Sequence, residues 1–286
     1  MKKLITILIL LLLPLSGCRK QESSNIVATT LPVYEFTSLI CDGTDLTVTR
    51  LITENVSCLH DYSLQVAQMR AVESAELIVI NGAGLEDFLE DVLPDTQCMI
   101  DASEGLELSC GHHHDGNEHH HEQDPHFWLS PKNAKAMCRN IADKLSAEYP
   151  QYADTFSKNL SKLLGMLDEL QAYGEQNLKN LTSRNLITFH DGFSYFAESF
   201  DLHILKAVEE ESGSEASAKE LIELINLVEE GKLPAIFTET NGSTSAAEII
   251  AEETGVKVFA LDMAMAGNSY FKAMYHNIDT IKEALE

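Results

Sequence analysis

The chain has 286 residues, 44% of them hydrophobic, and a formal net charge of −25 from 20 basic and 45 acidic side chains. That length is enough for two lobes with real cores. So acidic a balance, with no basic stripe, argues against nucleic acid and anionic lipid surfaces as partners and is compatible with drawing in cations.

The first residues have the form of an export signal. Met1-Lys2-Lys3 precedes an apolar run, Leu4 to Leu13, that is short for a bilayer span, and Leu15-Ser16-Gly17-Cys18 follows it. Leu-Ser-Gly-Cys resembles the bacterial lipobox. That likeness predicts a signal peptide over 1–17, lipid attachment at Cys18 and a linker over 18–24. Two or three acyl chains suffice for stable anchoring, which would put the protein on the extracytoplasmic face of a bacterial membrane. An ordinary secreted protein is the alternative. Beyond Cys18 come Cys41, Cys58, Cys98, Cys110 and Cys138, an odd number without a CxxC pair. This argues against a thiolate zinc site and against a fully paired disulfide framework.

An N-terminal α/β lobe is expected over 25–149, with strands over 25–30, 45–52, 77–80 and 97–100 and helices over 32–41, 63–74, 85–92 and 131–148. Pro150 opens an amphipathic stretch, 150–181, in which Tyr152, Phe156, Leu160, Leu163, Leu167, Leu170, Tyr173 and Leu178 recur mostly at helical spacing. A helix of about 30 residues is on the order of 45 Å long, more than one lobe requires, so it reads as a connection between lobes. A coiled-coil partner helix is disfavoured by Gly165 and Gly174.

The C-terminal α/β lobe, 182–286, repeats the alternation: strands over 186–189, 203–208, 235–238 and 256–261, helices over 193–200, 217–230, 243–253 and from 270 onward. Strands separated by helices imply mainly parallel sheets. The fold class is therefore α/β, two lobes each with a mainly parallel sheet flanked by helices, joined by one long helix. His190, Glu239 and Asp262 fall just past strand ends, where open α/β sheets bind ligands.

Seven of the 11 histidines lie between His112 and His126. Six form two triplets, His112-His113-His114 and His119-His120-His121, inside the loop 110–123. Imidazole is a leading ligand for zinc, and a run without apolar periodicity cannot pack as a core, so a metal-capturing loop is expected. An expression tag fits poorly with an internal run broken by Asp115, Gly116, Asn117 and Glu118. Four further candidates are His60, His126, His190 and Asp262, separated by 66, 64 and 72 residues. Only tertiary structure could gather them. Three imidazoles and a carboxylate suit zinc in tetrahedral or five-coordinate geometry. A lone histidine at a strand end is more often structural, Asp262 could be a turn residue, and Glu239 competes with it. His203 and His276 are assigned to structural or surface roles.

The lipobox, His60-Asp61-Tyr62-Ser63, the His-rich loop before Asp124-Pro125-His126-Phe127-Trp128-Leu129, the helical stretch, Phe189-His190-Asp191-Gly192-Phe193 and Phe237-Thr238-Glu239-Thr240-Asn241 together resemble the zinc and manganese receptors of bacterial ABC importers. The resemblance implies two lobes joined by one rigid helix. It matches His60, His126 and His190 to the three histidine ligands of zinc receptors and Asp262 to the carboxylate position. Manganese receptors of the family tend to carry Glu at the third position and lack the loop, so Zn2+ is favoured over Mn2+. Leu59 stands where the family usually has proline, and Cys58 is unusual. The run Met263-Ala264-Met265-Ala266-Gly267 leaves the carboxylate register open, with Glu239 or water as alternatives.

The expectation is a monomeric, lipid-anchored receptor, not an enzyme, that hands Zn2+ to an ABC permease and its ATPase, with the loop as an accessory capture site. A zinc hydrolase is a rival, although there is no HExxH and no clearly placed general base beyond Glu239 or Asp191. A cell-adhesion protein with a structural metal is another.

Overall fold

A computed structural model describes residues 25–56, 59, 62–89, 92–93, 98–109, 123–208 and 216–286. Cys18, Cys58, His60, Cys110 and the six loop histidines, His112 to His114 and His119 to His121, lie outside the described residues.

The first sheet contains β1 (Asn25–Ala28), β2 (Thr47–Arg50), β3 (Leu77–Ile80) and β4 (Met99–Asp101), all parallel, in the order β2-β1-β3-β4. The second repeats it with β5 (Asn185–Thr188), β6 (His203–Ala207), β7 (Ala235–Glu239) and β8 (Lys257–Leu261), parallel in the order β6-β5-β7-β8. Strands covered on both faces need continuous apolar runs, and Leu77-Ile78-Val79 and Ala235-Ile236-Phe237 are accordingly buried. The chain reverses its progress across each sheet between the two central strands. Loops leaving β1 and β3, and those leaving β5 and β7, therefore part to opposite sides and open a crevice at the strand ends.

Local chemistry starts the helices where expected. Ser130 accepts from the Asn133 amide at 3.5 Å and Pro131 occupies the first turn of α3 (Pro131–Glu148). Ser217 and Glu220 form a reciprocal capping box at the start of α6 (Ala218–Gly231). The expected helix over 85–92 is reduced to a 3-10 turn, Asp87–Leu89. Gly82, Ala83 and Gly84 run at φ of 92°, 56° and 82°, a left-handed passage no helix follows. Glu86 then turns its carboxylate back onto the Asn81 and Gly82 amides.

The long helix begins later than its apolar pattern, because Pro150–Tyr152 forms a 3-10 turn first. The helix proper, α4 (Ala153–Asn177), has 25 residues, about 37 Å at 1.5 Å each. It buries Phe156, Leu163, Leu167 and Leu170 against α1 (Leu31–Ile40) and α3 of the first lobe and against α8 (Tyr270–Leu285) of the second. One apolar core runs through both lobes, including Phe36, Trp128, Phe156, Phe196 and Tyr270, with Phe36 and Tyr270 edge to face at 4.9 Å. A smaller core lies between the second sheet, α6 and α7 (Ser245–Thr254). Among the described residues no helix is long and apolar enough to cross a membrane.

The two glycines of α4 differ in cause. A methyl group on Gly174 would lie 2.1 Å from Phe200 Cε1, so the helix reaches that ring only because the side chain is absent. Around Gly165 nothing lies within 4 Å. Gly165→Ala is therefore expected to raise unfolding stability by about 0.5–1 kcal/mol, and Gly174→Ala to lower it by about 1–3 kcal/mol, in urea denaturation.

Candidate metal centre

His126 opens the 3-10 turn Phe127–Leu129 that leads into α3. Asp124, two residues earlier, accepts from the His126 amide at 2.9 Å and sits 2.8 Å from its Nδ1, both side chains nearly buried. His190 lies just past β5, and its Nδ1 is 2.9 Å from Oε1 of Glu239, the last residue of β7. The Glu239 contact has ion-pair distance without hydrogen-bond alignment. Because β5 and β7 are neighbours, that pair sits at the crevice where the second sheet reverses.

Asp124 meets the His126 Nδ1 in hydrogen-bond geometry, which assigns the ring proton there and leaves a lone pair on Nε2, and Glu239 stands beside the corresponding nitrogen of His190. The two Nε2 atoms lie 3.3 Å apart, one from each lobe, with the rings nearly perpendicular at 87°. Two nitrogens so placed are held by what they share, a proton in a hydrogen bond or a metal cation. Zinc-to-nitrogen bonds of about 2.0–2.1 Å at a tetrahedral angle separate two nitrogens by about 3.3–3.4 Å.

The supports of His126 come from several elements. The Trp128 indole donates to Met263 O at 2.7 Å, Tyr270 OH to Trp128 O at 2.8 Å and Tyr195 OH to Asp124 O at 3.2 Å. From the first lobe, Asn81 Nδ2 donates to Pro125 O at 3.2 Å. Glu86 secures that asparagine, accepting from the Asn81 amide at 2.8 Å, the Gly82 amide at 3.0 Å and the Thr29 hydroxyl at 2.6 Å.

Asp262 is half-buried, its amide donating to Asn277 Oδ1 and its carbonyl accepting from Asn277 Nδ2, both at 2.7 Å. Its Oδ1 accepts from the Ala264 amide at 2.8 Å. With Glu239, Thr240, Asn241, Met263, Ala266 and, from the first lobe, Val56, it lines a small open pocket. The structure thus brings His126 and His190 together and puts Asp262 in a pocket shared with Glu239. Among the described residues no three His, Cys, Asp or Glu side chains converge on one point. His203 and His276 are exposed. Cys41, Cys98 and Cys138 are free thiols, and burial pushes Cys41 up to about 12.

Sequence reasoning assigned no role to Asp124 or Trp128. The signal for Asp124 was its place before Pro125-His126, a turn that points a carboxylate back at the ring. Glu239 entered as a rival ligand and as a candidate general base, whereas its partner is the Nδ1 of His190.

Two α/β lobes of like topology, braced by one helix and bearing imidazoles at their seam, have the architecture of two-lobed solute-binding proteins. The family described as zinc-uptake complex component A, periplasmic (ZnuA), matches residues 26–284, and the chain belongs to that family. The zinc-binding lipoprotein AdcA of Streptococcus pneumoniae (strain ATCC BAA-255 / R6) is 29% identical over 295 residues, covering 95% of this chain. This chain spans 58% of that relative's length. A crystal structure of ZnuA, 29% identical, superposes with a TM-score of 0.82 over 93% of this chain and 100% of its own. Zn(II)-bound AdcA from Streptococcus pneumoniae, also 29% identical, has a TM-score of 0.77 over 92% of this chain and 58% of its own.

The site's packing generates two predictions. A methyl group on Gly192 would stand 2.5 Å from Met263 Cε, 2.7 Å from His190 Cδ2 and 3.1 Å from His126 Cγ. Met263 can swing, but both rings are tied by carboxylates, so Gly192→Ala should weaken metal binding by about tenfold or more in calorimetric titration. Burial, outweighing its three donors, pushes the Glu86 carboxyl from its ordinary 4.5 up to about 7. Its folded state therefore binds the proton more tightly than the unfolded chain does. Glu86 contributes stability that is complete below about pH 4.5 and lost as pH rises through about 7, on the order of 3 kcal/mol in all. Urea denaturation of Glu86→Gln should show a flatter pH dependence than the parent across that window.

Proposed function

We propose that this chain is an extracytoplasmic receptor that binds Zn2+ between its lobes and delivers it to an ABC importer. The observation that carries the reading is the pair of carboxylate-backed imidazoles, one per lobe, with Nε2 atoms 3.3 Å apart. His60 and Asp262 would complete the ligand set. Support for His60 comes from its neighbours: Leu59 is buried, and the Tyr62 amide donates to Leu59 O at 3.0 Å. Glu54 also accepts from Tyr62 OH at 3.2 Å and Gln65 Nε2 at 3.0 Å. Val56, four residues before His60, stands in the pocket with Asp262 and Glu239. Because Asp262 Oδ1 serves the Ala264 amide, Oδ2 is the oxygen for the metal.

Three nitrogens and one oxygen suit zinc, whereas manganese favours an oxygen-rich octahedral set. Four protein donors leave no open position for an activated water, which favours a carrier over a hydrolase. The Zn(II)-bound AdcA structure supports the same metal. Glu239 serves as the carboxylate behind His190, which leaves Asp262 the better fourth ligand. The loop histidines, His112 to His114 and His119 to His121, act as a tethered accessory site that raises the local zinc concentration. Cys18 carries the lipid anchor, keeping the monomeric receptor beside its permease and ATPase. The strut α4 and the core shared by both lobes favour release by a small local change over a wide hinge opening.

The test is competitive zinc and manganese calorimetry on the chain starting after Cys18, with His126→Ala and with residues 112–121 deleted. One tight zinc site should vanish in His126→Ala while weaker loop sites persist, and manganese should not compete. Tight zinc binding that survives His126→Ala would overturn the reading. In thermal denaturation the metal-free protein should stay folded and gain about 4 kcal/mol at zinc a thousandfold above Kd.

A further inference from the structure

We infer that the segment 262–270, which follows β8 and belongs by sequence to the second lobe, is held in place by the first, with Arg50 and Glu35 as positioning residues for the Asp262 carboxylate. Three carbonyls at two-residue spacing turn toward the first lobe. Met263 O accepts from Trp128 Nε1 at 2.7 Å, Met265 O from the Leu31 amide at 3.4 Å and Gly267 O from Arg50 Nη1 at 2.7 Å. Glu35 closes the row, accepting from Ser269 Oγ at 3.0 Å and from the Tyr270 amide, and so caps α8 from the opposite lobe. These groups come from three places in the first lobe: the end of β2, the first turns of α1 and the turn that carries His126.

At the far end the first turn of α8 holds Ser269, whose hydroxyl accepts from the Lys272 amide at 3.4 Å and whose carbonyl accepts from the Ala273 amide at 3.2 Å, and at the near end the second lobe grips the segment through Asn277 on the Asp262 backbone. Past that grip the segment takes a shape the chain would not readily adopt unaided, because Ala264, which carries a Cβ, sits at φ 54°. A non-glycine residue in that region persists only where its surroundings enforce it. Here the first-lobe donors to Met263 and Met265 flank Ala264 on both sides. The Ala264 amide in turn holds Asp262 Oδ1 at 2.8 Å, so the position of Ala264 decides which carboxylate oxygen faces the pocket. Arg50 is at the far end of this row, 6.0 Å over the Tyr34 ring and absent from the pocket lining. It acts on the carboxylate through Gly267 and the backbone between them.

This inference rests on Asp262 as a zinc ligand, so the experiment separates the two. On the full chain, zinc release into excess chelator and the visible absorption of the Co(II)-loaded protein are compared for the parent, Arg50→Met, Arg50→Lys, Glu35→Gln and Asp262→Ala. Arg50→Met keeps an unbranched apolar stem and removes the guanidinium, and with it both the donor to Gly267 and the group over Tyr34. It should release zinc about tenfold faster, as expected for one lost charge-assisted hydrogen bond, and shift the cobalt bands. Arg50→Lys, whose ammonium can reach a carbonyl, should restore both, and Glu35→Gln should shift the bands in the same direction as Arg50→Met. A role confined to stability would lower the melting temperature of the metal-free protein and leave the cobalt spectrum alone, which overturns the inference. Arg50→Met indistinguishable from the parent beside a fast-releasing Asp262→Ala also overturns it while the receptor reading stands. A silent Asp262→Ala removes the ligand assignment and the inference with it.

Discussion

An imidazole whose Nδ1 faces a carboxylate has only its Nε2 lone pair to present, and this molecule holds two such rings with those lone pairs 3.3 Å apart. Asp124 orients His126 from two residues away in sequence, while Glu239 reaches His190 across neighbouring strands. Two nitrogens at that distance are held by what they share, a proton or a metal cation. The surrounding framework therefore has one task, to keep the rings from relaxing apart.

That framework acts at the back and at the front. Behind, α4 lays its apolar stripe against helices of both lobes, so that one core crosses between them. In front, Trp128 bridges: its indole donates to Met263 O beside Asp262, and its carbonyl accepts from Tyr270 at the start of α8. Trp128 is two residues from His126, so the same short turn carries a candidate ligand and ties it to the other lobe. A framework built this way fixes the relation of the two imidazoles by packing between the lobes.

The same topology in the two lobes makes their difference informative. At the crevice of the second sheet, just past β5 and at the end of β7, stand His190 and Glu239, paired at 2.9 Å with the imidazole Nε2 beside that of His126. At the corresponding place in the first sheet, the chain past β1 and β3 carries Thr29, Thr30 and Asn81, all buried, with the Thr29 hydroxyl and the Asn81 amide bonded to Glu86. Polar chemistry there is spent inward, on supporting Pro125 and hence His126. One crevice carries the His190 imidazole and the other supports the turn that carries His126.

Period-two and helical apolar spacing are local properties, so the secondary-structure elements are written in the chain itself. Strand β3 and helix α3 begin and end where the pattern places them, and the α/β class with its long connecting helix follows from alternation alone. Asp124-Pro125-His126 and Phe189-His190 were legible as candidate ligands because rare side chains stood just past strands or at a helix start. The partnerships, by contrast, come from tertiary packing. Which carboxylate backs which imidazole depends on β5 lying beside β7, a pairing between residues about 50 positions apart that no local pattern encodes. Likewise 3-10 geometry replaced the helix expected over 85–92, because Glu86 found buried amides to serve. And the segment after Asp262, second-lobe by sequence, is stitched to the first lobe by donors and an acceptor that become its neighbours only when the two lobes pack.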